Sequence, residues 1–132
     1  MKKMLMGLFA LGVGVAGVAH AGQKWPIIEN NVVINQTARS AYGWVSSARN
    51  SPNGNERISC VVSGSTGGYR SASCTFQDAK GTYAACSSSN PDIVNAIQFM
   101  QSDSYLWAYW DASGACQSVS MYSDSANMPK AP

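Results

Sequence analysis

The sequence predicts an α+β fold, mainly β: an antiparallel sheet of about three hairpins, one helix over about residues 91–101 packed on it, and two disulfides. Three observations carry that expectation. Turn chemistry recurs at Ser51-Pro52-Asn53-Gly54-Asn55, at residues 64–68, at Asp78-Ala79-Lys80-Gly81 and at Asp111-Ala112-Ser113-Gly114; there Asp and Asn bond the local backbone and Gly takes positive φ. Between the turns lie short strand-like runs that carry aromatic and β-branched residues. Four cysteines, Cys60, Cys74, Cys86 and Cys116, make an even number in a chain that opens with an export signal, which reads as two disulfides.

Residues 1–21 have the layout of a cleaved signal peptide. Lys2 and Lys3 start it, residues 5–18 form an apolar run, and Ala19-His20-Ala21 supplies the small-x-small cleavage pattern. The run is shorter than the roughly 20 apolar residues that spanning requires, and no cysteine follows it as a lipid anchor would need. The expected product is a single small disulfide-bonded domain, residues 22–132, exported to the periplasm or the medium, with no membrane insertion after cleavage. Cleavage also removes Lys2, Lys3 and the sole histidine, His20. The remaining chain has as many basic as acidic residues and lacks the basic footprint of a nucleic-acid binder. Without histidine it has no Ser/His/Asp or Cys/His nucleophile and no His-containing zinc site.

Strands are expected over residues 42–48, 57–63, 69–77, 82–86, 105–110 and 115–122. The two Asp-Ala-x-Gly turns suit hairpin loops, and each of three units pairs an aromatic-bearing strand with a return strand carrying Cys60, Cys86 or Cys116. If the loop centred on Thr66 and Gly67 closes a hairpin, Cys60 and Cys74 stand opposite one another, which favours bridges 60–74 and 86–116. One zinc held by all four thiolates is disfavoured, since no C-x-x-C spacing occurs. For the helix, Ser89 or Asn90 is the cap, Pro91 fits the first turn and Asp92 faces the positive dipole end. Ile93, Val94, Ile97 and Met100 then recur at helical spacing, and Ser102 and Asp103 end it. The tail from about residue 123 is expected to lie on the surface or to be mobile.

The chemical inventory points away from catalysis. Acid/base work on a glycoside needs two carboxylates about 5 to 10 Å apart. Asp78 and Asp111 have turn roles, Asp92 a helix-end role, and Glu29 and Glu56 lie in polar, loop-like surroundings. No catalytic residue, metal ligand or cofactor is therefore assigned. Aromatic residues are the richer resource. In the run from Tyr105 to Trp110, strand alternation places Tyr105, Trp107 and Tyr109 on one face and Leu106, Ala108 and Trp110 on the other. Leu106 and Ala108 read as core, which turns the Tyr/Trp/Tyr stripe outward as a candidate ligand face; Trp44 is a further candidate ligand-binding residue. Arg49, in Ser46-Ser47-Ala48-Arg49-Asn50-Ser51, is a further candidate, able to clamp a carboxylate or backbone carbonyls in a fork. The competing expectations are a second core layer under Trp25, Ile27 and Ile28, and an Arg49 that ties the first hairpin to the sheet.

S-A-R-N-S at residues 47–51, D-A-x-G-T-Y-x-x-C at 78–86, D-S-Y-L at 103–106 and W-D-A-S-G-x-C at 110–116 form a combination spread over about residues 41–122. It resembles a group of small exported four-cysteine bacterial proteins of unassigned function. The resemblance implies compartment and disulfide class, and brings no activity and no site. The expected function is a secreted or periplasmic binding module that recognises a protein, as an inhibitor would, or a glycan, through exposed aromatics. The alternatives are a small carboxylate-dependent hydrolase and an envelope or matrix structural protein. A binding module requires exposed rings or a protruding loop; a hydrolase requires a cleft with two facing acids.

Overall fold

The computed structural model describes residues 31–123. The expected signal peptide, Trp25, Ile27, Ile28 and Glu29, and residues 124–132 of the expected tail lie outside them. Seven strands and two helices follow in the order β1 (Val32–Asn35), β2 (Ser40–Trp44), α1 (Val45–Asn50), β3 (Arg57–Gly64), β4 (Arg70–Gln77), β5 (Tyr83–Ser88), α2 (Pro91–Gln98), β6 (Ser104–Trp110) and β7 (Cys116–Ser123). The fold is mainly β with antiparallel pairing inside each sheet, as expected, but the strands divide into two sheets, β1-β2-β6-β7 and β3-β4-β5.

The division begins at Trp44, where the expected strand over residues 42–48 stops. Val45–Asn50 instead turns helical and buries Ser46 and Ala48, so β2 and β3 leave α1 in different layers rather than as a hairpin. Among the described residues the Ser46 hydroxyl has no hydrogen-bond partner in that position. Strand β1 was not expected; it folds back on β2 through a turn in which the Ala38 N–H donates to Asn35 Oδ1 at 2.8 Å. Gly43 lies at the close approach that results, because a Cβ there would run into the Asn31 carbonyl.

The three hairpins β3-β4, β4-β5 and β6-β7 are built alike. Gly68, Gly81 and Gly114 close them at φ of 83°, 84° and 83°, the left-handed region where glycine carries no Cβ penalty. In the Asp turns, Asp78 Oδ1 accepts from the Lys80 and Thr82 N–H groups, and Asp111 Oδ1 accepts from those of Ser113 and Ala115.

Both favoured disulfides are formed. Cys60 and Cys74 face each other in the β3-β4 register, with Cα atoms 4.1 Å apart. The Cys86–Cys116 bridge, with Cα atoms 5.1 Å apart, joins the end of β5 to the start of β7 and so pins one sheet to the other. Beside it the Ser87 N–H donates to the Gly114 carbonyl at 3.1 Å.

The core lies between the sheets. Val32, Ala41, Leu106 and Ala108 face it from one, Phe76, Ala72 and Ala84 from the other, and α2 inserts Val94 and Ile97. Asn90 caps α2 by accepting from the Asp92 N–H at 2.8 Å, with Pro91 in the first turn. The helix ends at Gln98 rather than 101, because the Phe99 and Met100 N–H groups close tight turns on Ala96 and Ile97; Met100 still packs on the core from beyond the helix. Among the described residues no helix is long and apolar enough to cross a membrane.

Candidate ligand-binding face

The registers of β1-β2-β6-β7 place the aromatic side chains in rows. Trp44, Tyr105 and Tyr122 stand side by side across β2, β6 and β7, and Val33, Tyr42, Trp107 and Ser120 form the next row. Asn35, Ser40, Tyr109 and Ser118 form the third. Because opposite residues in a ladder share a face, Tyr42, Trp44, Tyr105, Trp107, Tyr109 and Tyr122 all lie on one side. The core-facing side of β6 holds Leu106, Ala108 and Trp110, all buried. Tyr122 and Tyr109 are 59% and 37% exposed, and the other four rings are half-buried among their neighbours.

Tyr105 is the hub of this face. Its ring lies 5.0 Å from that of Trp44, 5.7 Å from that of Tyr122 and 6.2 Å from that of Tyr42, the tilted and edge-on distances that aromatic quadrupoles favour. Burial pushes its hydroxyl above the ordinary tyrosine value, and the neighbouring Tyr42 and Tyr122 phenols push it further in the same direction. No residue of β1, β2, β6 or β7 is Asp, Glu, Lys or Arg, so the polar partners on this face are phenol, indole, amide and serine groups.

Trp44, Tyr105, Trp107 and Tyr109 are thus brought together, while Arg49 stands apart. Arg49 is exposed on α1 and lines a hollow of about 270 Å³ with Val45, Glu56, Arg57 and Ile58. Glu56, expected in polar loop-like surroundings, is instead buried at 7% exposure. Its carboxylate accepts from Asn31 Nδ2 and from the Val32 N–H, both at 3.0 Å, and from the Ser51 hydroxyl. It therefore fastens the start of β1 to the loop before β3. A larger open groove, about 600 Å³, lies at the far end of β4 and β5 and is lined by Tyr69 and the serines Ser71, Ser73, Ser87 and Ser89, among others. Neither hollow presents two facing carboxylates.

Three residues of these surfaces were missed from sequence. Tyr42 and Tyr122 carried a usable signal, since each alternates with core positions in its strand. Arg57 carried none, because its placement beside Arg49 depends on α1 packing against β3.

Compared with models of known families, with curated proteins and with solved structures, the chain matches none of them. Fold and surface define a small, disulfide-bonded, mainly β protein with an uncharged aromatic sheet face.

Proposed function

We propose that this protein is an exported binding module that recognises a glycan through the aromatic face of the β1-β2-β6-β7 sheet. One observation carries the reading: a contiguous field of six aromatic rings on the non-core side of a four-stranded sheet whose described strands carry no charged residue. Such rings offer apolar planes to the C–H faces of sugars, and their phenol and indole groups, with Ser118 and Ser120 at the margin, offer hydrogen bonds to sugar hydroxyls. The disulfide between the sheets supports the same reading, because a face already held in place needs little ordering on binding. The two disulfides and the signal-like residues 1–21 support export to the periplasm or the medium.

The test is retention of the oxidised domain on a glycan array and in affinity gels, with Trp107→Ala as the probe variant. Binding to at least one glycan, weakened about tenfold or more by Trp107→Ala, is the expected result. Indifference of that binding to Trp107→Ala would overturn the proposal. Capture of one specific envelope protein, with no glycan retained, would move the function to the inhibitor-like reading.

A further inference from the structure

We infer that the hollow lined by α1 and the start of β3 is a second binding site, for a small organic acid. Its carboxylate is held by Arg49 and Arg57, and its apolar body lies against Val45 and Ile58. The site goes beyond the glycan reading and does not depend on it. Ile58 Cδ1 stands 3.0 Å from the position that a Cβ on Gly43 would take, and Gly43 shares a ladder row with the buried Val32 and Leu106. Ile58, which lines the hollow, thus meets β2 on its core side, opposite the side that carries Trp44, Tyr105 and Tyr122.

The fold holds the walls in place. Val45 and Arg49 lie one helical turn apart on α1, and Arg57 and Ile58 open β3. The loop between these elements is tied by its own bonds. The Ser51 hydroxyl donates to Glu56 and accepts from the Asn53 N–H at 3.1 Å, and Asn53 Oδ1 accepts from the Asn55 N–H at 2.8 Å. The side-chain amides of Asn53 and Asn55 also donate to the Ala79 carbonyl in the β4-β5 turn. The backbone around the hollow therefore needs little ordering when a ligand enters.

The unused chemistry of these walls is cationic. Arg49 and Arg57 are both exposed, and among the described residues neither guanidinium has a hydrogen-bond or ion-pair partner. Glu56, the acid of the same wall, is buried, and its carboxylate is taken by the Asn31, Val32 and Ser51 donors. A hollow of about 270 Å³ brings both arginines within reach of one small molecule. An arginine fork matches a planar carboxylate bidentately. Arg49, Arg57 and Glu56 sum to a single positive charge, which suits a monoanion better than a dianionic phosphate. The volume lies just below the roughly 300 Å³ at which ligand pockets begin, so the acid is a short one. Val45 and Ile58 favour an acid with a carbon chain over a bare anion.

The experiment titrates the oxidised protein with acetate, butyrate, hexanoate, hexanamide and inorganic phosphate, read by calorimetry and by amide chemical shifts. Arg49→Gln and Arg57→Gln, which keep most of the side chain, and Trp107→Ala are run in parallel, with melting curves to show that all remain folded. Hexanoate is expected to saturate one site and to bind about tenfold or more tightly than acetate, hexanamide or phosphate. The shifts should gather at Val45, Arg49, Arg57 and Ile58. Each arginine variant should weaken hexanoate about fivefold or more, and added salt should weaken it further; Trp107→Ala should leave it unchanged. Phosphate or hexanamide binding as tightly as hexanoate, or hexanoate binding that survives both arginine variants, overturns the inference. So does the absence of saturable hexanoate binding, and so does its loss in Trp107→Ala. The glycan reading is tested by the array alone and stands or falls apart from these outcomes.

Discussion

Trp44 stands directly opposite Tyr105 across the β2-β6 ladder, with the two rings 5.0 Å apart and edge to face. Tyr105 also meets Tyr42 and Tyr122, so one residue organises the rings on three strands. Aromatic pairs are worth about 0.5–1.5 kcal/mol each beyond the area they bury. Tyr105→Ala should therefore lower stability by about 2–3 kcal/mol, while Tyr105→Phe, which keeps the rings, should stay within about 0.5 kcal/mol of wild type. Urea denaturation at unchanged slope measures the difference.

The raised ionisation of Tyr105 gives the face an alkaline limit. Burial and the adjacent phenols hold the proton on in the folded state above the ordinary tyrosine value. The folded protein then binds more protons than the unfolded chain between the two values, so stability falls as pH rises there. The contribution should be complete below the unfolded value near 10 and lost as pH rises through the folded one. Phenolate absorbance should show one tyrosine ionising late, and Tyr105→Phe should remove that step and flatten the matching loss of stability.

Glu56 should matter more to stability than any exposed carboxylate. Its oxygens take the Asn31 amide, the Val32 N–H and the Ser51 hydroxyl in a buried setting. Glu56→Ala leaves those donors without their acceptor and should cost about 3 kcal/mol, since hydrogen bonds to charged groups are worth roughly 1.5–3 kcal/mol and orphaned donors add to that. Glu56→Gln keeps one acceptor oxygen and should cost less. Faster hydrogen exchange at the Val32 amide in both variants, with exchange in β4 unchanged in Glu56→Gln, would locate the damage at the β1 anchor.

Features set by neighbours in sequence were legible, and features set by distant pairing were not. Asp78 and Asp111 announce their hairpins because Asp, at the first position, and Gly, at the fourth, do the local work themselves. Cys60 and Cys74 could be matched because a turn midway between them fixes their register. The Tyr105, Trp107 and Tyr109 stripe followed from alternation alone. In contrast, the two-sheet division depends on β2 pairing with the distant β6 rather than with β3. Glu56 looked like a loop residue because the donors that bury it come from Asn31 and Val32, 25 and 24 positions away. Helix α1 was read as strand because Val45, Ser46 and Ser47 favour no helix by propensity; its formation reflects the packing of Ser46 and Ala48.

Asp111 supplies an acid-side counterpart. The hydroxyl of Ser113 donates to its Oδ1 at 2.6 Å and the Ser113 and Ala115 N–H groups donate to the same oxygen, while Gln117 Nε2 donates to Oδ2 at 2.7 Å. These bonds, the Ser113 hydroxyl first, favour the ionised form and hold the carboxyl below its ordinary value. The unfolded chain then binds the proton more readily, so the stabilisation is present above the unfolded value near 3.9 and is lost as pH falls through the folded one. Asp111→Asn keeps an acceptor for the turn amides but has no charge to lose. Its deficit relative to wild type should be largest at neutral pH and shrink towards zero in acid. The turn links Trp110 to Cys116 at the edge of the aromatic face, so the amides of Ser113 and Ala115 should exchange faster in the variant. A deficit that stayed constant across the acid range would mean that the carboxylate charge contributes nothing to this hairpin.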